Sequence, residues 1–482
     1  MTTNKHLSSL ISLFEKWAGE KSTGSYKLPQ SGSNRIYYRI ISKNKTAIGV
    51  FNNNKKENIA FIEFTKTFLK NELNVPQIYD ADLSNNIYLI QDLGDYTLFN
   101  FIHEPETSEK QILNIYKDVI DQLIKFQVGA TKDIDYNVCY PRASFDKQSI
   151  LWDLNYFKYY FLKLAKINFD EQELEDDFNK LADYLLTTDC NYFMYRDFQS
   201  RNIMLHNYTT YFIDYQGGRK GALQYDLASL LYQAKADLPQ NIRDELLNYY
   251  IIKAKDLTDI DEKEFIKFYY AYVLIRIIQV LGAYGYRGFY EKKSYFIQSI
   301  PYAIENLKHV LKKINIPIKI PALNNVLNQI INSQELTVKQ DIKKSDKLTV
   351  TITSFSYKKG IPIDISGNGG GFVFDCRANS NPGRYDEYKQ LTGKDKQVID
   401  FFKKDKQIFN FLEKIYSIVD SSVEIYIERN FSNLMVNFGC TGGQHRSVFC
   451  AENFAKHIED KYNVNVVIHH TVVDSSEFRV GN

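Results

Sequence analysis

Met194-Tyr195-Arg196-Asp197-Phe198-Gln199-Ser200-Arg201-Asn202, with Phe212-Ile213-Asp214 following, decides the reading of this 482-residue chain. An Asp, an Asn five positions on and a second Asp twelve positions beyond that is the spacing of a kinase-type phosphoryl-transfer site. In such a site the first Asp orients and deprotonates an acceptor hydroxyl. The Asn and the second Asp hold Mg²⁺ against the phosphates of ATP. The alternating runs Ile203 to His206 and Tyr211 to Asp214 flank Asn207-Tyr208 and predict a β-hairpin that presents both metal ligands to one point. A polar loop beside a hairpin is the bland alternative, and the flanking sequence weighs against it.

Asp214-Tyr215-Gln216-Gly217-Gly218-Arg219-Lys220-Gly221 and Tyr225-Asp226-Leu227-Ala228-Ser229-Leu230-Leu231 continue the segment. Together they resemble the aminoglycoside phosphotransferase-like kinases, nearest to the anomeric kinases that phosphorylate N-acetylmuramate and N-acetylglucosamine in cell-wall recycling. Ser31-Gly32-Ser33-Asn34-Arg35-Ile36-Tyr37-Tyr38-Arg39 resembles that family's nucleotide loop. Val75-Pro76, Gln91-Asp92-Leu93-Gly94-Asp95 and Ile277-Ile278-Gln279-Val280-Leu281-Gly282 fit its pattern too. The resemblance covers residues 1 to 315. It implies a bilobal, protein-kinase-like α+β fold using ATP and Mg²⁺, with Ser31, Gly32, Ser33, Asn34, Gln91, Asp92 and Leu93 at the nucleotide. It also implies a small-molecule sugar acceptor phosphorylated on its anomeric hydroxyl.

One feature of many kinases is missing at the phosphates, as it also is from the amino-sugar kinases. Many kinases place a Lys on the third strand, but Ala47-Ile48-Gly49-Val50-Phe51 contains none. Arg35, Arg39 and Lys55 are the remaining candidates for that charge. Arg196 reads as structural support. Asp226 reads as the cap of a helix over Leu227 to Gln233 that braces the catalytic loop, with a substrate contact as the alternative.

The length predicts two or three domains. Sixty Lys and Arg against 58 Asp and Glu, net +2, leave no global field to recruit nucleic acid or an anionic membrane. Five scattered cysteines form neither a disulfide framework nor a zinc pair, which points to a reducing, cytoplasmic setting. No signal-peptide core precedes the amphipathic helix carrying Leu7, Leu10, Ile11, Phe14 and Trp17. The most apolar stretch, Phe268 to Leu281, is interrupted by Arg276 and Gln279. It reads as a buried helix and no membrane span is expected.

Residues 24 to 95 read as a small lobe, with strands Tyr37 to Ile41, Thr46 to Phe51 and Ile87 to Gln91 and a helix Ile59 to Glu72. Residues 100 to 315 read as a helical lobe ending in a helix Tyr302 to Ile314 that the prolines at 317 and 321 stop. Residues 316 to 347 form a candidate linker with a short helix around Val326 to Ile331. Beyond it, strands at Leu348 to Ser354, Phe372 to Asp375, Leu434 to Phe438 and Val464 to His469 alternate with helices at Gln397 to Ile418 and Ser447 to His457. That alternation predicts a compact α/β domain over 348 to 482.

Gly439-Cys440-Thr441-Gly442-Gly443-Gln444-His445-Arg446-Ser447 lies between a strand and a helix of this domain. Converging backbone N–H groups, a helix N-terminus and an Arg fork favour an oxyanion. Thr353-Ser354-Phe355, Gly360-Ile361-Pro362-Ile363-Asp364, Val373-Phe374-Asp375-Cys376-Arg377-Ala378-Asn379-Ser380-Asn381-Pro382 and Leu391-Thr392-Gly393-Lys394-Asp395 precede it. In this order they resemble the C-terminal domain of the RapZ family, which senses glucosamine-6-phosphate. The resemblance implies an amino-sugar phosphate at Asp375, Arg377, Thr441, Gly442, Gly443, His445, Arg446 and Ser447. The RapZ P-loop domain is replaced here by the kinase-like region. The family's basic ending is replaced by His469-His470-Thr471-Val472-Val473-Asp474, so RNA is not expected as a partner. Cys440 to Arg446 also has the spacing of cysteine-dependent phosphatases. Two readings of Cys440 stay open: a nucleophile, or a small buried residue under an anion-binding turn.

Overall fold

The computed structural model describes residues 2–29, 35–337, 347–362, 364, 366 and 370–474. The chain divides into two compact units, Met1–Ala283 with Ser299–Ser333, and Tyr284–Gln298 with Gln334–Asn482.

The first unit opens with the helix Thr2–Ala18, then β1 (Gly24–Lys27), β2 (Ile36–Ile41), β3 (Thr46–Phe51), the helix Lys55–Lys70, β4 (Ile78–Asp82) and β5 (Ile87–Ile90). The strands form an antiparallel sheet in the order β1-β2-β3-β5-β4. Leu10 and Phe14 of the first helix, fully buried, fill one face of it against Ile40, Ala47 and Leu89. The second helix starts four residues earlier than its apolar periodicity indicates, because Asn54 caps it by accepting a hydrogen bond from the Glu57 N–H.

Helices dominate the rest of this unit and frame two small antiparallel pairs. These are β6 (Tyr192–Met194) with β9 (Arg219–Gly221), and β7 (Ile203–His206) with β8 (Thr209–Phe212). The hairpin is present at its expected turn, where Asn207 and Tyr208 both take positive φ (49° and 61°) as a tight two-residue connection requires. Its second strand ends at Phe212 instead of Asp214. Edge-to-face packing of Phe68, Phe126, Phe193, Tyr195 and Tyr215 forms the core behind it. The apolar stretch Phe268 to Leu281 lies in the helix Glu262–Tyr284. All of it is buried except the half-buried Gln279 and Val280, so it is a core helix.

Two boundaries differ from expectation. The late helix runs over Ser294–Lys313 and carries Pro301 within it. The stretch expected as linker contains the helix Pro321–Ile331, which Pro321 begins as its first residue instead of stopping a preceding one. Its N–H groups at Ala322 and Leu323 donate to Asp177 Oδ2 (2.8 and 3.1 Å), and its Leu323, Val326, Leu327 and Ile330 are buried. Residues 299 to 333 therefore belong to the first unit.

The second unit carries β10 (Thr349–Ser356), β11 (Phe372–Asp375), β12 (Asn433–Cys440) and β13 (Asn465–His470) in a parallel sheet ordered β11-β12-β10-β13. Parallel strands need crossover helices, and the apolar residues of the central pair, Val350, Ile352, Leu434, Val436 and Phe438, point to one face and are buried there. The helices are Lys396–Lys403, Lys406–Glu428 and Arg446–Lys461. The expected single helix Gln397 to Ile418 is broken where Asp405 caps a new one by accepting from the Gln407 N–H (2.9 Å). The apolar core collects Val350, Ile352, Phe402, Leu412, Val436, Phe438 and Phe454.

Candidate functional sites

In the first unit, the segment Met194 to Asn202 is held from below by Asp226. Its helix begins at Leu223 after an Ala222 N-cap, so Asp226 is not the expected cap. It is the expected brace. Fully buried, it accepts hydrogen bonds from the backbone N–H of Tyr195 (2.7 Å) and Arg196 (2.9 Å) and from the Gln127 amide (3.3 Å). Burial pushes its carboxyl up to about 7 while those three donors pull it back. Arg196 takes φ 81°, pairs with Asp153 (2.7 Å) and stacks over Phe145 and Tyr225, which is structural support as expected. That turn throws Asp197 outward, leaving its side chain 41% exposed with the Arg276 guanidinium 3.6 Å away. Arg276 in turn donates to Ser229 Oγ (2.9 Å).

Asn202 ties the expected residues together. Its Nδ2 donates to the Asp197 carbonyl (2.9 Å) and lies 3.4 Å from Asp214 Oδ2, which leaves Oδ1 as a donor atom for a cation. The Tyr195 hydroxyl donates to the Ile213 carbonyl (2.7 Å), coupling the loop to the residue before Asp214. Asp214 sits at φ 71°, a left-handed conformation that costs about 1–3 kcal/mol for a non-glycine and turns the carboxylate back toward Asn202. Gln216 (2.7 Å) and Arg35 (3.3 Å) both donate to its Oδ1. Partial loss of water and then Asp197 raise its carboxyl above the usual range, with Arg35 acting against them. Among the described residues no cluster of three His, Cys, Asp or Glu could hold a metal. An amide oxygen and a carboxylate at one point are a hard, sparse donor set. That suits Mg²⁺, which keeps waters and substrate phosphates as its other ligands.

The remaining residues expected at the nucleotide divide. Ser31, Gly32, Ser33 and Asn34 lie outside the described residues. Gln91, Asp92 and Leu93 follow β5 as a connection to the helical lobe. There Gln91 exchanges hydrogen bonds with Gln77 (2.9 and 3.3 Å) and the Leu93 carbonyl meets the His206 ring (3.1 Å). The Asp92 carboxylate is occupied by Arg39, which also grips Asp95 (2.8 Å) and the Tyr26 hydroxyl (3.0 Å). Sequence reasoning missed Glu57, whose Oε2 accepts from Arg35 (2.7 Å) and Asn52 (3.1 Å). It also missed Arg276 as a neighbour of Asp197. The signal for Arg276 was present: a charge breaking an apolar run.

In the second unit, β12 ends at Cys440 and the helix begins at Arg446, so the loop between them crowns the C-terminal edge of the central strand. Gly443 adopts φ 72°, and a Cβ there would meet Val472 Cγ2 at 2.6 Å and Ser356 N at 2.9 Å, so only glycine fits. Thr441 and Gly442 are exposed. Arg446, buried, donates through Nη1 to the carbonyls of Arg377 (2.7 Å) and Asn379 (3.2 Å), joining the loop to the end of β11. Arg377 and Asp375 form a strand-end ion pair (2.7 Å) stacked over Tyr357, which holds the Asp375 carboxyl below the usual range. His445, expected at the sugar phosphate, is buried with Nε2 against the Tyr388 carbonyl (2.8 Å). Ser447 Oγ lies 3.1 Å from Cys440 Sγ, which also accepts the Gly443 N–H (3.2 Å). Cys440 is itself buried and pins the turn from beneath.

Comparison with known proteins agrees with this division. A family model described as the phosphotransferase enzyme family matches residues 27–263, and one described as the RapZ C-terminal domain matches 348–474. The chain therefore carries a phosphotransferase-family domain of protein-kinase-like fold followed by a separate RapZ C-terminal α/β domain. A nucleotide-binding protein of Nitrosomonas eutropha is 39% identical over 126 residues, 26% of this chain and 42% of that protein. One of Psychrobacter sp. is 31% identical over 178 residues, 36% of this chain and 54% of that protein. The chain thus spans about two fifths to one half of the length of these curated relatives. Among solved structures, choline kinase LicA from Streptococcus pneumoniae aligns with a TM-score of 0.41 at 14% identity, over 63% of this chain and 99% of that one. An ADP-bound aminoglycoside phosphotransferase, APH(2'')-Ib, aligns with a TM-score of 0.41 at 14% identity, over 64% and 97%.

Proposed function

We propose that the first unit transfers the γ-phosphoryl group of ATP to a hydroxyl of a small molecule, and that the second unit binds an amino-sugar phosphate. The observation that carries the transfer is the convergence of Asp197, Asn202 and Asp214, with the Asn202 amide bridging the other two. Asp197 stands outward as the base that orients the acceptor hydroxyl and accepts its proton, and Arg276 beside it limits its swing. Asn202 Oδ1 and the Asp214 carboxylate would hold Mg²⁺, which supplies charge neutralisation at the transferring phosphoryl group. Asp226 keeps the Tyr195 and Arg196 amides fixed, so the Asp197 carboxylate is presented in one orientation.

The acceptor class follows from the resemblance of the Asp214 to Gly221 and Tyr225 to Leu231 segments to the amino-sugar kinases. We read it as an N-acetylhexosamine phosphorylated at the anomeric hydroxyl, giving a sugar 1-phosphate in the cytoplasm. For the second unit, the exposed Thr441-Gly442 edge, the helix N-terminus at Arg446 and the neighbouring Arg377 favour a phosphate. A panel of amino sugars incubated with radiolabelled ATP and Mg²⁺ tests the first proposal. Label should move to an N-acetylated hexosamine as an acid-labile phosphate. Transfer to choline or to an aminoglycoside in preference would replace the acceptor, and no transfer to any alcohol would leave a nucleotide-binding regulator.

A further inference from the structure

We propose that Arg35, at the foot of β2, supplies the positive charge on the nucleotide phosphates that a third-strand lysine supplies elsewhere, with Glu57 as its positioning carboxylate. The inference rests on the phosphotransferase reading above and adds the residue that reading lacks.

The third strand, β3 (Thr46–Phe51), reads Thr-Ala-Ile-Gly-Val-Phe and offers no cation. Of the basic residues near it, Arg39 is committed elsewhere. Its guanidinium is shared among Asp92, Asp95 and Tyr26, which fixes the connection after β5. Lys55 is the exposed first residue of the helix Lys55–Lys70. Arg35 is different in kind. Only 5% of its side chain is exposed, yet a guanidinium stays charged in any protein environment. Burying that charge is tolerated because carboxylates meet it on two sides. Nη2 donates to Glu57 at 2.7 Å and Nη1 to Asp214 at 3.3 Å.

The two contacts are unequal, and the inequality is informative. The Glu57 contact has the length of a full charge-assisted hydrogen bond, about 2.7–2.9 Å, while the Asp214 contact is longer than that. Glu57 is itself fixed. Asn52 donates to the same oxygen at 3.1 Å, and Glu57 sits in the first turn of a helix capped by Asn54. Strand register explains the geometry. Ile36 pairs with Phe51, so Arg35 emerges beside Asn52, at the end of the sheet nearest the helix carrying Glu57. A lysine on β3 would be a single point donor. A guanidinium fork reaching from the neighbouring strand spans Glu57 and the Asp214 carboxylate at once.

Asp214 is one of the two residues suited to the cation that neutralises the phosphates. A fork already leaning on Asp214 is therefore placed to donate from its Nη1 side to phosphate oxygens when Asp214 is engaged, with Nη2 still anchored on Glu57. The Glu57–Arg35–Asp214 chain then joins the small lobe to the hairpin of the catalytic segment. Arg35 would touch the nucleotide, and Glu57 would act through Arg35.

The test is calorimetric binding to the full chain, with ADP and Mg²⁺ on one side and adenosine on the other. Arg35→Gln should weaken ADP by 10-fold or more and leave adenosine within about twofold of wild type. Arg35→Lys, which keeps the charge and loses the fork, should recover part of the ADP affinity. Glu57→Gln should weaken ADP in the wild-type background and add little in the Arg35→Gln background, because it acts through the same side chain. Unchanged ADP binding in Arg35→Gln would overturn the inference, as would a parallel loss of ADP and adenosine in both Arg35 variants, the mark of a structural role. A wild-type chain that binds neither ADP nor ATP would instead overturn the phosphotransferase reading on which this rests.

Discussion

Asp197 and Asp226 are both carboxylates within the same few residues of structure, and their surroundings assign them opposite tasks. Asp197 is 41% exposed beside Arg276, open to an acceptor, whereas Asp226 has no exposure and is spent on backbone amides. Asp197→Asn keeps the shape and removes the proton acceptor. Phosphoryl transfer should slow by roughly 10²–10⁴-fold while nucleotide affinity stays near wild type, and single-turnover kinetics with calorimetry would separate the two. A near-normal rate would reassign the base. Asp226 predicts a pH effect of definite sign. Its carboxyl is raised to about 7 against an ordinary value near about 4, so between those limits the folded chain holds a proton that the unfolded chain releases. That contribution to stability is complete at the acid end and is lost as pH rises toward 7. Melting temperatures at pH 5 and 7.5 should show the loss in wild type, and Asp226→Asn, neutral throughout, should lack this component of the slope. The substitution should also lower stability overall by about 1–3 kcal/mol, because an amide NH₂ cannot accept from Tyr195 or Arg196. An identical slope in both proteins would mean that Asp226 does not titrate in this window.

At the scale of elements, what the sequence discloses depends on whether the cause is local. The hairpin at Asn207-Tyr208 was legible because two adjacent positive-φ residues and flanking alternation are local facts. β11 falls on Phe372–Asp375 as expected, since a short β-branched and aromatic run between polar loops has few other uses. Asp197, Asn202 and Asp214 were legible as a set from spacing alone, and the structure brings them together through one amide. Glu57 was not legible, because its role depends on strand register that carries Arg35 to it from 22 residues away. The burial of His445 was equally hidden, since the Tyr388 carbonyl that holds it arrives from a distant loop. The helix Pro321–Ile331 was placed in a linker because its polar flanks outweigh four apolar residues, and its docking depends on Asp177, far off in sequence. That docking is testable. Asp177→Ala should strand the N–H groups of Ala322 and Leu323 at a buried helix start and cost about 1–3 kcal/mol in a denaturant titration of the full chain. No change would mean that water replaces the carboxylate there.

At the scale of the whole molecule, one chain joins a phosphotransferase-family domain to a RapZ C-terminal domain. Covalent joining keeps each site at high effective concentration for whatever the other makes or binds. If the first site produces an amino-sugar phosphate and the second binds one, product or a related pathway metabolite should change the transfer rate. Arg446 is a poor probe of this coupling. Its guanidinium also satisfies the carbonyls of Arg377 and Asn379, so Arg446→Ala would disturb the end of β11 as well as the ligand. Arg377 is the cleaner choice. It is half exposed, its main partner is the equally exposed Asp375, and it stands beside the 440–446 loop that Arg446 ties to it. Arg377→Ala in the full chain should weaken a hexosamine phosphate by about 1.5–3 kcal/mol, the worth of a charge-assisted hydrogen bond, and leave basal transfer unchanged. Any stimulation or inhibition by that ligand should shift to correspondingly higher concentration. A second variant, Cys440→Ser, separates binding from turnover at the same loop: ligand affinity should hold, and any release of inorganic phosphate should be unaffected if the thiol only anchors the turn. Calorimetry and initial-rate assays with and without glucosamine-6-phosphate decide between the outcomes. Absence of binding at millimolar ligand would remove the sensor, while binding with an unaltered rate would leave a sensor whose output goes elsewhere.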